Sequence, residues 1–191
     1  MASTVDICNL ALQRLGAARI TSLTDNSTPA RTMNLLYEHT RDMLLRSHAW
    51  NFAVARASLA ADSSTPAFGY DYSYTLPSDF IRLLPHDRDE GDTYLEDWKV
   101  EGGKILTDTS APLYIRYVYR VTDTTQFDTY FVRLLALRLA MDGCEDITQS
   151  ATKFQTISEE YKDVLKEARR ANAFENPPAD SQDGSWISSR I

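Results

Sequence analysis

The sequence predicts an α+β fold in which helices at both chain ends bracket a stretch of strands. Apolar residues recur at 3–4 spacing over 4–15, 28–47, 127–141 and 152–171, the period of a half-buried helix. Between 51 and 122 the period changes to two, and Gly, Pro and Ser punctuate the change. The economical arrangement is a discontinuous helical bundle from 1–50 and 123–172, an inserted antiparallel β module at 51–122, and an extended C-terminal tail at 173–191.

The first helix opens after Ser3, with Asp6 placed to close a capping box, and Gly16 stops it. Val5, Cys8, Leu12 and Leu15 share its inner face. The second opens at Thr28-Pro29, read as a cap followed by proline in the first turn, and turns Met33, Leu36, Tyr37 and Leu44 inward. The third, from Phe127, holds only Asp128, Arg133 and Arg138 as charges, so it must be covered on more than one side. In the fourth, Phe154, Ile157, Tyr161, Val164 and Ala168 form the apolar stripe, and Lys166, Arg169 and Arg170 suit its C-terminal end. Pro177-Pro178 forbids further helix.

Strands are expected at 51–59, 70–76, 80–84, 95–100, 104–107 and 113–121. Glu101-Gly102-Gly103 marks a hairpin, because glycine accepts positive φ without strain. In the last strand Leu113, Ile115, Tyr117, Tyr119 and Val121 are expected on one face, with Arg116 and Arg120 on the other. Tyr70, Tyr72 and Tyr74 likewise share a face, which is either core or a surface for a partner.

The chain has 191 residues and a formal charge of −7, with 43% hydrophobic and 25% charged residues, an ordinary globular composition. The charge is uneven: +2 over 1–60, −6 over 61–126, −1 over 127–172 and −2 over 173–191. Such a balance argues against an overall basic nucleic-acid binder. No stretch approaches the roughly 18 apolar residues of a membrane span, and no basic leader opens the chain, so neither membrane insertion nor secretion by that route is expected. Cys8 and Cys144 lie in apolar helical patterns and read as buried thiols in a reducing compartment, although one disulfide is arithmetically open to them.

No pattern for chemistry emerges. The run Asp87-Arg88-Asp89-Glu90-Gly91-Asp92 fails as a calcium loop, since Gly91 stands at the third ligand position and Trp98 where the bidentate glutamate belongs. Glu159, Glu160 and Asp163 could be imagined as glycosidase carboxylates, but they fall on a charged helix face. His39, His48 and His86 have no metal spacing, and there is neither a phosphate loop nor a nucleophile elbow. No catalytic, metal-binding or cofactor-binding residue is therefore assigned, and a non-enzymatic role is expected.

The tail combines a polar stretch containing Pro177, Pro178, Asp180 and Asp183 with a terminal Trp186-Ile187-Ser188-Ser189-Arg190-Ile191. Either it is loose or folds back on its own bundle, or Trp186, Ile187, Arg190 and Ile191 anchor it to a partner or a neighbouring copy.

The opening Ile7-Cys8-Asn9-Leu10-Ala11-Leu12-Gln13-Arg14-Leu15-Gly16 resembles the first helix of bacteriophage head-to-tail adaptors, the tail tubular protein A family. Ser47-His48-Ala49-Trp50-Asn51-Phe52 and Tyr74-Thr75-Leu76-Pro77-Ser78-Asp79-Phe80 are similar to later stretches of that family, as are the aromatic helix from Phe127 and the charged helix around 159–170. Together these cover nearly the whole chain. The resemblance implies a helical bundle with an inserted β module. It also implies a virion protein, assembled in the bacterial host cytoplasm, that forms a dodecameric ring between the portal protein and the tail nozzle, tubular protein B. Tail fibres are a further partner, and double-stranded DNA would pass through the ring without being read. On that expectation Asp87, Asp89, Glu90 and Asp92 are candidates for an acidic lumen, and Tyr70, Tyr72 and Tyr74 for a nozzle or fibre surface. The alternatives are a tail-associated cell-wall hydrolase and a protein-interaction module unrelated to phages.

Overall fold

A computed structural model of the chain describes residues 2–85 and 97–175. The fold is α+β, with five helices and six strands among those residues. In chain order they are α1 (Thr4–Leu15), α2 (Thr28–Ser47), β1 (Val54–Leu59), β2 (Tyr72–Thr75), β3 (Phe80–Leu84), β4 (Trp98–Glu101), β5 (Lys104–Thr107), β6 (Leu113–Tyr119), α3 (Thr129–Asp142), α4 (Cys144–Thr148) and α5 (Ala151–Phe174).

Local chemistry fixes the helix ends. Ser3 and Asp6 close the expected capping box on α1, and Gly16 ends the helix at φ +69°. Lys153 of α5 adds a second cap, its Nζ donating to the Leu15 carbonyl at 2.6 Å. For α2 the cap is Ser27 rather than Thr28: the Ser27 hydroxyl accepts from Ala30 N–H, and Thr28 and Pro29 fill the first turn. Asp128 caps α3 through the N–H groups of Tyr130 and Phe131, so that helix starts two residues after Phe127. The short α4 is absent from the sequence expectation because Cys144-Glu145-Asp146-Ile147-Thr148 is too short to show a period. α5 runs to Phe174, so Ala173 and Phe174 belong to the helix and not to the tail.

The strands form two antiparallel three-stranded sheets, ordered β1-β6-β3 and β2-β5-β4. Gly102 and Gly103 turn the β4–β5 hairpin at φ +57° and +77°, the double positive φ of a type I′ turn. Residues 51–53 form a 3-10 turn rather than the start of β1.

α3 is the centre of the bundle and packs against α1, α2 and α5. Phe131, Leu134, Leu135, Leu137 and Leu139 are buried around its circumference, as its few charges required. The β1-β6-β3 sheet then separates two cores. Val54, Ile81, Leu84 and Val118 join the helical core, while Ala57, Leu83, Leu113, Ile115 and Tyr117 join a smaller one with Tyr74 and Ile105. The expected face of β6 is correct for Leu113, Ile115 and Tyr117. Val121 departs from it: the strand ends at Tyr119, and Val121 turns into the helical core.

Candidate interaction surfaces

The Ser47–Phe52 run builds a joint between helices and strands. Trp50 is 1% exposed, donates from Nε1 to the Leu44 carbonyl at 3.0 Å, and meets Phe131 edge-on at 5.5 Å. Phe52 adds a second edge contact to Phe131 at 4.9 Å. Asn172, on the last turn of α5, ties the run down. Its Oδ1 accepts from the Asn51 backbone N–H, and its Nδ2 donates to the Ala49 carbonyl. The Asn172 carbonyl in turn accepts from Asn51 Nδ2. His48 Nε2 lies 3.3 Å from Asn172 Nδ2, and burial, followed by the charges of Arg169 and Arg82, holds the imidazole below its usual pKa.

An arginine face lies on the side of the β1-β6-β3 sheet that carries Val118. Register places Arg56 opposite Arg116, and Arg82 opposite Val118 two residues along β6, so all three guanidiniums emerge from one face. Arg46, at the end of α2, donates to the Ile81 carbonyl beside them. Sequence alternation separates Arg116 from Tyr117 and Tyr119 of its own strand, but the grouping with Arg56 and Arg82 depends on strand order, which no local pattern carries.

The tyrosines predicted as one surface are divided. Tyr74 is fully buried and donates its hydroxyl to the Thr109 carbonyl at 2.7 Å, so it is core and cannot serve as a nozzle or fibre surface. Tyr72 is half-buried against the same core. Tyr70 lies before β2, donates to Asp97 Oδ1 at 3.2 Å, and borders a concavity of about 350 Å³ with the exposed Phe68. The opposite side of β2 is covered as well: Ser73 is buried because 61–64 folds over it, presenting Asp62 and the Ser64 carbonyl to its hydroxyl. Trp186, Ile187, Arg190 and Ile191, together with Asp87, Asp89, Glu90 and Asp92, lie outside the described residues.

Glu160 is engaged across the bundle, accepting from Arg14 at 2.9 Å and Arg133 at 3.1 Å, while Asp163 pairs with Lys166 along the helix. Among the described residues, no cluster of His, Cys, Asp or Glu is placed to hold a metal ion. Both cysteines are buried free thiols, and burial pushes Cys8 up to about 12. No helix among the described residues is long and apolar enough to cross a membrane.

Among the exposed apolar side chains of the helices, two groupings lie on α1–α3 and on α2. Leu10 of α1 and Val132, Ala136 and Leu137 of α3 line a groove of about 370 Å³, rimmed by Arg14 and Arg133. On α2, Leu35 is 79% exposed and Met43 38%, with the exposed His39 between them on the same i, i+4, i+8 row. Compared with known proteins, the chain matches no family model and no curated protein.

Proposed function

We propose that the protein is a structural, non-catalytic head-to-tail adaptor of a short-tailed bacteriophage, a ring component between portal and tail nozzle. The observation that supports the reading is where the resembling segments meet. Ile7, Cys8, Ala11, Leu12 and Leu15 of the opening helix share one core with Trp50 and with Phe131 of the aromatic helix. Of the other resembling stretches, 159–170 adds Val164 and Ala168 to that core, and 74–80 leads into β3, whose Ile81 and Leu84 enter it. Segments far apart in the sequence thus build one shared core, the kind of body a ring subunit needs.

In this proposal the bundle supplies the ring body, and segment 176–191 anchors it through Trp186 and Ile191 to the portal or to a neighbouring copy. The concavity beside Tyr70 and Phe68 is the surface offered to the nozzle or fibres. The acidic run 87–92 faces the lumen, where like charge lets duplex DNA slide without gripping it. Imaging the protein mixed with portal rings tests the reading, with twelve copies seated on the portal as the expected result. Truncation after Pro178 should leave a folded chain that no longer attaches. Attachment unchanged by truncation would remove the tail from the proposal, and failure of the full chain to seat would remove the adaptor reading.

A further inference from the structure

We infer that copies of this chain join head to tail, with α2 of one copy seated in the α1–α3 groove of the next. The inference rests on the ring reading and names the two surfaces that would build it.

The groove and the ridge are complementary in shape. Leu35 and Met43 stand eight residues apart, about 12 Å along the helix axis, and a row of this spacing is what packs into the groove between two helices. The groove offers the exposed Leu10 and the half-buried Val132 as aliphatic walls, with Ala136 and Leu137 buried at its base. Leu35 is a large apolar side chain left in water on a helix whose inner face is already satisfied, and Leu10 is 44% exposed in the same way. Covering each with the other removes both exposures.

Charge favours the same match. Arg14 and Arg133 share the single carboxylate of Glu160, which leaves one positive charge in excess at the groove rim. On α2, Glu38 lies beside the Leu35–Met43 row and makes no ion pair with any described residue, whereas Asp42 is already held by Arg41 and Arg120. Seating the ridge therefore brings Glu38 toward the unbalanced arginine. The two surfaces lie on different helices, so each copy offers one and accepts the other. Such a heterologous contact closes into a ring when its rotation permits.

The test uses the full chain with one thiol placed on each surface, Leu10→Cys on the groove and Leu35→Cys on the ridge. Cys8 and Cys144 are buried and do not compete. A short bismaleimide is added to each variant alone, to their equimolar mixture and to the doubly substituted chain, both free in solution and seated on portal rings. Thermal melts of each variant confirm folding. The expected result is a mixed dimer forming about tenfold faster than either self-dimer, as a seated contact raises the local thiol concentration. The doubly substituted chain should give a ladder of higher oligomers. Equal rates for the mixture and the single variants, or no ladder in either setting, would overturn the inference. Rings imaged on the portal without a 10-to-35 cross-link would overturn the contact and leave the adaptor reading standing. A ladder without portal binding would do the reverse.

Discussion

Asn51 and Asn172, 121 residues apart in the chain, form a closed pair. The Asn51 backbone N–H donates to Asn172 Oδ1 at 2.8 Å, and Asn51 Nδ2 donates to the Asn172 carbonyl at 2.8 Å. The last turn of α5 is thereby locked onto the segment that leads from helices into strands. Replacing Asn172 with alanine removes the side-chain acceptor and leaves the Asn51 N–H short of a partner, at a cost of about 1–3 kcal/mol. Urea denaturation should show a lower midpoint with an unchanged slope. A midpoint equal to that of the native chain would mean that water replaces the amide at no cost.

His48 gives the joint a pH dependence. Its imidazole is held below the usual 6.5 by burial and by the charges of Arg169 and Arg82, so the unfolded chain binds the proton more readily than the folded one. The contribution is present above about pH 6.5 and is lost as pH falls from there through the folded-state value. Melting temperature should decline over that interval, and His48→Gln should flatten the decline. An equal slope in the variant would assign it to other groups.

Cys8 should be inert in the folded chain. With its thiol pushed up to about 12 by burial, thiolate is scarce near neutral pH, and the sulfur is shielded by α1 packing. Maleimide labelling at pH 8 should leave Cys8 unmodified in buffer and modify it in denaturant. Rapid native labelling would show that α1 opens on the time scale of the reaction.

Asp42 is shared by two guanidiniums: Arg41 Nε at 2.9 Å and Arg120 Nε at 2.8 Å. Arg41 is only 6% exposed, so Asp42→Asn removes the carboxylate from a buried charge and should cost about 2 kcal/mol. Calorimetry checks it. Added salt should change the difference little, because the Arg41 side of the pair is shielded from screening.

How far the fold was legible follows from the range of each interaction. Ser3, Asp6 and Gly16 announce α1 because capping is settled within four residues. The central place of α3 follows from its own scarcity of charge. The expected cap of α2, Thr28, is one residue late because serine and threonine at 27 and 28 both satisfy a cap, and only backbone geometry separates them. Tyr74 could not be told from a surface residue, since alternation reveals that a strand has two faces but not that both are covered. The arginine face and the Asn51–Asn172 pair require strand order and helix docking, for which the chain carries no local sign. The groove beside Leu10 was hidden for a related reason: the 3–4 spacing leaves Leu10 off the inner face of α1, but that it borders a groove with Val132 depends on how α3 docks.

β6 is one strand serving two cores, Val118 on one side and Ile115 and Tyr117 on the other. A residue change on either side bears on the same backbone, so strain introduced in the strands reaches the core that α2 and α3 share with them. The strand segment is therefore not a detachable appendage: excising it would strip Val54, Ile81, Leu84 and Val118 from the helices and leave their packing open. The two halves should melt in a single step, and a push on one should reach the other as a displacement of the whole body.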